Sequence, residues 1–139
     1  MIVLDTNVLS ELMRPDPSAS VVQWIGKQSR MELFTTTITE AEIFYGIELL
    51  PKGKRRDKLL LAAAAMFVQD LEDHILSLDS IAARNFAPIA ARRRVAGKPI
   101  SHADAQIAAI AKTHGAAIAT HSTGDFQNCG VRIIDPWVA

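Results

Sequence analysis

The sequence is short of the features that mark secreted, membrane-spanning and strongly charged proteins. Its one cysteine, Cys129, has no partner for an internal disulfide or a cysteine metal cluster, so a reducing cytoplasm is the expected compartment. Acidic and basic side chains balance at 15 each, so no overall field draws the protein to nucleic acid or to a membrane. Any contact with nucleic acid must therefore come from a local patch.

Long apolar runs are also missing. The longest run, residues 59–68, falls well short of the roughly 20 residues that a helix needs to cross a bilayer. At the N-terminus Asp5 follows directly after Ile2, Val3 and Leu4, where a signal peptide would have a basic region and then a long apolar one. The sequence therefore predicts neither a membrane span nor a signal peptide.

The composition that remains is typical of an ordinary globular protein. Hydrophobic residues make up 49% of the chain and charged residues 22%. A chain of 139 residues is long enough to bury one core and too short for two independently stable halves. We therefore predict one domain over residues 1–139.

Short apolar runs alternate with helical spacing along the chain. The predicted strands cover residues 2–4, 33–36, 75–78, 116–120 and 131–134. The apolar spacing of three helices lies within residues 8–13, 21–25 and 43–50, and longer helices are predicted over 54–73, 79–94 and 101–114. Because parallel neighbours need crossover connections, this order predicts an α/β domain with a mainly parallel sheet of about five strands flanked by helices.

Four acidic residues fall where such a sheet has its carboxyl edge. Asp5 directly follows the first strand, and Glu42 is placed in the first turn of the helix after the second strand. Asp104 opens the helix that follows Ser101, and Asp125 comes after the fourth strand. Ligands bind at that edge in open α/β sheets, so we expect the four carboxylates to converge there.

Each acid also has a purely structural interpretation. The segments Thr39–Glu42 and Ser101–Asp104 both have capping-box spacing, in which the acid bonds back to the start of its helix. Asp125 beside Gly124 fits a turn. Asp5 fits a structural role least well, since a carboxylate after an apolar central strand is partly buried and needs a compensating cation. The set of four, more than any one member, indicates a site.

A carboxylate cluster without histidine or cysteine ligands suits a hard cation. Mg²⁺ and Mn²⁺ prefer oxygen ligands and retain water molecules, whereas zinc favours nitrogen and sulfur. The chemistry that we expect from such a site is metal-assisted hydrolysis of a phosphodiester, with water as the nucleophile.

Four segments, in chain order, carry a family resemblance: residues 1–11 (MIVLDTNVLSE), 38–46 (ITEAEIFYG), 104–109 (DAQIAA) and 135–137 (DPW). They resemble the PIN-domain family, and within it the VapC-type toxins and the related FitB-type trafficking proteins. The resemblance implies a PIN-like fold and a Mg²⁺-dependent endoribonuclease that is the toxin of a toxin–antitoxin pair. It also implies an RNA substrate, a small antitoxin partner and a homodimer.

The resemblance carries over to individual residues. Asp5, Glu42, Asp104 and Asp125 correspond to the family's acidic site, with Asp5 and Asp104 as the most direct metal ligands. Thr6 and Asn7 stand where the family has a small polar pair, and we expect them to orient Asp5.

The loop after the fourth strand departs from the family pattern. His121 and Ser122 stand where the family usually has arginine and asparagine before the acid. We therefore assign no role in the site to these two residues.

Two basic clusters are candidates for contacts with phosphates, although solvated helix faces also explain such runs. The first cluster is Lys52, Lys54, Arg55, Arg56 and Lys58, and the second is Arg92, Arg93, Arg94 and Lys98.

Two other functions stay open on the sequence alone. A haloacid-dehalogenase-like phosphatase would use Asp5 as its nucleophile, but that chemistry needs an acid two residues later, where Asn7 stands. A non-catalytic module that binds nucleic acid or a regulatory partner would not need four converging acids.

Overall fold

Five parallel strands form the centre of the computed structural model, which describes all 139 residues. Their order across the sheet is β3-β2-β1-β4-β5. The strands are β1 (Ile2–Leu4), β2 (Leu33–Thr36), β3 (Ile75–Leu76), β4 (Ala117–Ala119) and β5 (Ile133–Ile134). The predicted α/β class and the mainly parallel sheet are confirmed.

The direction in which strands are added reverses beside β1. The chain runs from β1 through β2 to β3 and then returns to the other side of β1, where β4 pairs Ala117 with Ile2 and Ala119 with Leu4. In open α/β sheets a ligand crevice forms outside the carboxyl ends of the strands at such a reversal. Asp5 and Thr120, the residues that follow β1 and β4, lie at this point.

Six helices cover the two faces of the sheet: α1 (Thr6–Leu12), α2 (Ala19–Gly26), α3 (Thr37–Glu48), α4 (Lys54–Ala65), α5 (Ser80–Val95) and α6 (His102–Thr113). Because side chains alternate along a strand, Ile2 and Leu4 pack into one core with α1 to α4, and Val3 packs into the other with α5 and α6. None of the helices combines the length and the apolar character that a membrane span requires.

The last long helix, α6, is buried along most of its length. Its inner residues are mostly alanine and isoleucine, and those at 105 and 107–111 are all buried. The small alanine side chains allow α6 to pack closely between α5 and the sheet. This packing holds the N-terminus of α6, and with it Asp104, at the carboxyl edge.

Some of the predicted element boundaries were wrong. The helix predicted over 54–73 continues from α4 as a π-helical turn to Asp70, and Asp73 beyond it has a left-handed backbone with φ 61°. The strand predicted over 75–78 has two residues, because only Ile75 and Leu76 pair with β2. The last two strands are likewise shorter than predicted.

Glu42 lies in the second turn of its helix and not in the first. The helix α3 begins at Thr37, with the Thr36 hydroxyl accepting a hydrogen bond from the backbone N–H of Thr39 at 3.1 Å. Thr36 is therefore the capping residue, and the capping box expected at Thr39–Glu42 is absent.

Candidate functional site

The four predicted acids line one cleft at the carboxyl edge of the sheet. Its ten lining residues include no hydrophobic side chain, and its volume is about 480 Å³. Besides Asp5, Glu42, Asp104 and Asp125, the lining residues are Thr6, Asn7, Ser10, Glu11, Arg14 and Ser122. The structure thus brings together acids from four distant segments, and we call this depression the acidic cleft.

Asp5 is the most firmly held of the four acids. One carboxylate oxygen accepts a hydrogen bond from the backbone N–H of Thr6 at 2.8 Å, which caps α1, and the other accepts from the Thr120 hydroxyl at 2.7 Å. Only 5% of Asp5 is exposed. Burial raises the pKa of the Asp5 carboxyl, although the hydrogen bonds from Thr120 and Thr6 oppose the rise.

Thr6 acts on two acids by two different groups. Its backbone N–H binds Asp5, while its hydroxyl donates to Glu42 at 2.8 Å and also lies 3.2 Å from the hydroxyl of the buried Thr39. The expectation that Thr6 orients Asp5 fits the backbone contact. The side chain instead ties Glu42 of α3 to the start of α1.

Asn7 connects α1 to the loop that follows β4. Its side-chain amide donates to Thr120 at 3.3 Å and to Ser122 at 3.1 Å, and its carbonyl oxygen accepts from the backbone N–H of His121 at 3.2 Å. Asn7 therefore reaches Asp5 only through the shared Thr120 hydroxyl. Ser122, to which the sequence assigned no role, lines the cleft.

Asp104 lies at the start of α6, where Ser101 caps the helix. The Ser101 hydroxyl accepts from the backbone N–H of Asp104 at 3.1 Å, so half of the predicted capping box is present. Burial and the negative charges of Asp5, Asp125 and Glu42 raise the pKa of Asp104 to about 6. Burial is the largest cause of this rise, and the acids that share the cleft add to it.

Asp125 lies in a short 3-10 helix, Thr123–Phe126, whose backbone accepts a hydrogen bond from a buried arginine. Arg93 of α5 is 5% exposed, and its guanidinium donates to the carbonyl oxygens of Asp125 at 2.6 Å, Gln127 at 2.9 Å and Lys98 at 2.7 Å. Because Arg93 is buried and its Nε and Nη1 groups donate inside the protein, the structure does not support the expectation that Arg93 contacts phosphates.

Sequence reasoning missed Thr120, Ser122 and Arg93. Thr120 had a signal, because it is a polar residue directly after a buried apolar strand, as Asp5 is. Glu11 also lines the cleft, yet it bonds the backbone N–H of Ser18 at 2.8 Å and pairs with Arg14 at 3.2 Å. Those contacts lower the pKa of Glu11 and give it a role in joining α1 to the start of α2.

The chemistry of the cleft fits Mg²⁺ better than a metal that needs a closed set of protein ligands. No three histidine, cysteine, aspartate or glutamate side chains are grouped tightly enough to hold an ion by themselves. Mg²⁺ keeps several waters and commonly binds proteins through one or two carboxylates, so it does not require such a group. The side chains that line the cleft offer mainly oxygen atoms as ligands.

Comparisons with known proteins cover nearly the whole chain. A PIN domain family model matches residues 2–129. The chain is 42% identical to the plasmid stability protein StbB of Pseudomonas syringae pv. tomato, with 100% of both chains covered. It is 39% identical to VapC ribonuclease Y4jK of Sinorhizobium fredii, over 99% of this chain and 98% of the relative. It is 36% identical to Toxin FitB of Neisseria gonorrhoeae, with 99% of each covered.

A solved structure agrees at the level of the fold. The structure of FitAB bound to an IR36 DNA fragment matches with a TM-score of 0.91 at 36% identity, covering 99% of this chain and 96% of that one. These similarities concern the domain as a unit and not one motif.

Proposed function

The chain belongs to the PIN domain family, and on that premise we propose that it is a Mg²⁺-dependent endoribonuclease acting as the toxin of a toxin–antitoxin pair. The observation that carries this proposal is the acidic cleft, in which four carboxylates from four segments meet at the point where the strand order reverses. Relatives named as a VapC ribonuclease and as a toxin support the same assignment.

Asp5 and Asp104 are the residues that would hold Mg²⁺, and Mn²⁺ can take its place. Each oxygen of Asp5 accepts one hydrogen bond, which leaves further lone pairs for a cation. Burial and then its acidic neighbours raise the pKa of Asp104, so a bound cation would stabilise its charged form. When bound, the metal supplies electrophilic stabilisation of the charge that develops on the phosphoryl oxygens.

Glu42 is the residue that we assign to orient the attacking water and accept its proton. Thr6 donates to one oxygen of Glu42 and so fixes the side chain, while the other oxygen has no protein donor. A general base must lie within hydrogen-bond reach of the proton that it takes, and Glu42 is exposed to the cleft for this purpose. Asp125 completes the negative lining.

The two rival functions fit the structure less well. A phosphatase with Asp5 as nucleophile needs a second acid at residue 7, where Asn7 stands. The amide group of Asn7 instead donates and accepts hydrogen bonds that hold the loop after β4. A non-catalytic binding module would gain nothing from four acidic side chains in one cleft, where burial and neighbouring negative charges raise the pKa of Asp5 and of Asp104.

We also propose a small antitoxin as a partner and a homodimer as the assembly. A basic side chain from the antitoxin is suited to the acidic cleft, since it would pair with carboxylates that otherwise bind metal. Tyr45 on α3 and Leu49, the residue that directly follows this helix, are both about two-thirds exposed and are candidates for the contact between the two copies. Expression of the protein alone should inhibit cell growth. Co-expression with the antitoxin should restore growth and yield a complex in which the two proteins purify together.

The decisive experiment measures cleavage of single-stranded RNA with Mg²⁺ and with a chelator. We expect cleavage only with the metal, and a loss of at least about 100-fold for Glu42→Gln and Asp104→Asn, because each removes a charge from the cleft. Glu40→Gln is the matched control, since Glu40 lies on the same helix and does not line the cleft. Undiminished cleavage in chelator by the folded protein would contradict the mechanism.

A further inference from the structure

A second depression opens directly from the acidic cleft. It has a volume of about 680 Å³ and lies between α1, α3 and α4. Its apolar floor includes Met13, Ile43, Ile47, Leu50 and Leu59, and its basic side chains are Arg14, Lys54, Arg55 and Lys58. Thr6, Ser10, Arg14 and Glu42 line both depressions, so the two form one continuous surface. We call the second depression the basic groove.

The helix α3 leads from the acidic cleft into the basic groove. Glu42 and Gly46 are four residues apart on α3, which places them on one side of the helix, and Leu50 lies just beyond its end and also lines the groove. Along the helix the step from Glu42 to Gly46 advances about 6 Å. Gly46 leaves the middle of the groove open, since a Cβ built there meets no atom within 4 Å. A chain that enters the acidic cleft can therefore continue along this side.

The basic groove carries the positive charge that is required to bind a polyanion, whereas the charged side chains that line the acidic cleft are mainly acids. Lys54, Arg55 and Lys58 form no ion pair with an acid, whereas the neighbouring Arg56 is paired with Glu48. In the second basic cluster Arg93 is buried, and its exposed members Arg92, Arg94 and Lys98 line neither the cleft nor the groove. Unpaired cations beside the acidic cleft are therefore concentrated on α4.

We propose that the basic groove binds the single-stranded RNA segment on one side of the bond that is cleaved, with Lys54, Arg55 and Lys58 contacting its phosphates. This proposal rests on the proposed ribonuclease function and assigns the path of its substrate. No aromatic side chain lines the groove, so bases pack against aliphatic groups without a stacking platform. Binding here is therefore salt-dependent and tolerant of sequence, because phosphate contacts carry no sequence information.

RNA suits the groove better than an uncharged or basic chain does. The groove presents four basic side chains and one acid, Glu42, and the acid lies where the groove meets the cleft. A strand whose phosphate lies among the carboxylates can leave the cleft past these cations, because the two depressions share lining residues.

The test compares two triple variants that remove the same charge. In the groove variant Lys54, Arg55 and Lys58 are changed to Gln, and in the control Arg92, Arg94 and Lys98 are changed to Gln. Binding of a short fluorescent single-stranded RNA is measured by anisotropy over a salt series in chelator, so that no cleavage interferes. We expect the groove variant to bind at least about tenfold more weakly and its salt slope to fall by about 2, since each phosphate contact in a single strand contributes roughly 0.7. The control should stay within about twofold of the natural sequence.

A steric pair of variants tests the same path without changing charge. Gly46→Ala places only a methyl group in open space and suits a helix, so RNA binding should be retained. Gly46→Leu fills the middle of the groove and should weaken RNA binding severalfold, while its thermal melt stays close to that of the alanine variant.

The possible outcomes distinguish failure of the groove assignment from failure of the proposed ribonuclease function. If the natural sequence neither binds nor cleaves RNA, the ribonuclease proposal itself fails. If it cleaves RNA but both triple variants bind equally well or equally weakly, only the groove assignment is overturned. If the groove variant binds RNA normally but no longer captures the antitoxin, the groove serves a protein partner, which also overturns the proposal.

Discussion

Asp5 and Asp104 both line the acidic cleft, yet their carboxylates are held in different ways. Asp5 and Thr120, the strand half of the cleft, follow two adjacent central strands, and both oxygens of Asp5 accept hydrogen bonds. Asp104 and Asp125, the helix half, lie on a helix start and on a short 3-10 helix. In the helix half Asp104 has a pKa raised by burial and by neighbouring acids, with Ser101 as the hydrogen-bonding partner that opposes the rise.

The difference separates two requirements of a metal site. The strand half fixes the position of one carboxylate, because hydrogen bonds from two segments determine its orientation. The helix half supplies negative charge that is poorly compensated until a cation arrives. A cation would therefore stabilise the helix half more than the strand half, and the following variants test this division.

The largest expected effect is on stability, from substitution of Arg93, which binds the segment that carries Asp125. Arg93→Met removes the donor of three partly buried hydrogen bonds to the carbonyl oxygens of Asp125, Gln127 and Lys98. We expect the free energy of unfolding to fall by about 3 kcal/mol, since buried acceptors that lose their partner cost roughly 1 to 3 kcal/mol each and the loop can partly relax. Chemical denaturation measures this change.

The neighbouring Arg92 provides the control for Arg93. Arg92→Met removes the same charge from an exposed position on the same helix, and its effect should stay within about 0.5 kcal/mol. Equal losses from the two variants would show that Arg93 contributes only charge and does not hold the loop.

The position of Arg93 shows what the sequence could and could not predict. Three consecutive arginines read as a basic patch, yet Arg93 lies four residues after Ile89, which is fully buried on the same helix. The spacing of i and i+4 places both on one face, so burial of Arg93 was within reach of the helical pattern. Its partners, the carbonyl oxygens after β4, are more than 30 residues away and have no local signal.

The acids were predictable to different degrees for a similar reason. Asp5 was located correctly because a polar residue after an apolar strand is a local signal. The turn of α3 that carries Glu42 was misjudged, since Thr36, Thr37 and Thr39 are all residues able to cap a helix, and the structure uses the first. The hydrogen bond from Thr120 to Asp5 spans 115 residues, and only the pairing of β1 with β4 brings these side chains together.

An effect of intermediate size, on metal binding, is expected from substitution of Thr120 in the strand half. Thr120→Val keeps the shape of the side chain but removes the hydroxyl that donates to Asp5 and accepts from the backbone N–H of Ser122. Because this hydroxyl lowers the pKa of Asp5, its loss should raise that pKa and weaken Mn²⁺ binding by about tenfold, as loss of a group that orients a ligand usually does.

Calorimetric titration with Mn²⁺ compares this variant with Thr120→Ser. Serine retains the hydroxyl and should bind nearly as the natural sequence does. If valine and serine bind Mn²⁺ equally well, the hydrogen bond to Asp5 does not position a metal ligand.

The smallest expected effect is a gain in the free energy of unfolding when Asp104, in the helix half, is neutralised. In the folded protein Asp104 has a pKa of about 6, against 3.8 as its ordinary value. Between about pH 4 and pH 6 the folded protein therefore binds more protons at this position than the unfolded chain. The free energy of unfolding contributed by Asp104 falls as the pH rises through this window, and the penalty persists at neutral pH.

Asp104→Asn removes the penalty and should stabilise the metal-free protein at neutral pH by about 1 kcal/mol, after allowance for solvent screening of a half-buried group. That corresponds to a rise of a few degrees in Tm. The gain should shrink toward about pH 4, where Asp104 is protonated in the folded protein. Added Mg²⁺ should reverse the order, because it binds and stabilises the natural sequence more strongly than the variant.

Thermal melts in chelator at several pH values make this measurement, with Asp79→Asn as the control. Asp79 caps α5 outside the acidic cleft, and asparagine caps a helix about as well as aspartate, so no stabilisation is expected there. Asp5→Asn should lack the gain as well, since an amide nitrogen cannot accept the hydrogen bonds that both oxygens of Asp5 now accept. A lower Tm for Asp104→Asn at neutral pH would mean that Asp104 acts chiefly as a helix-start residue, and the division between the two halves of the cleft would not hold.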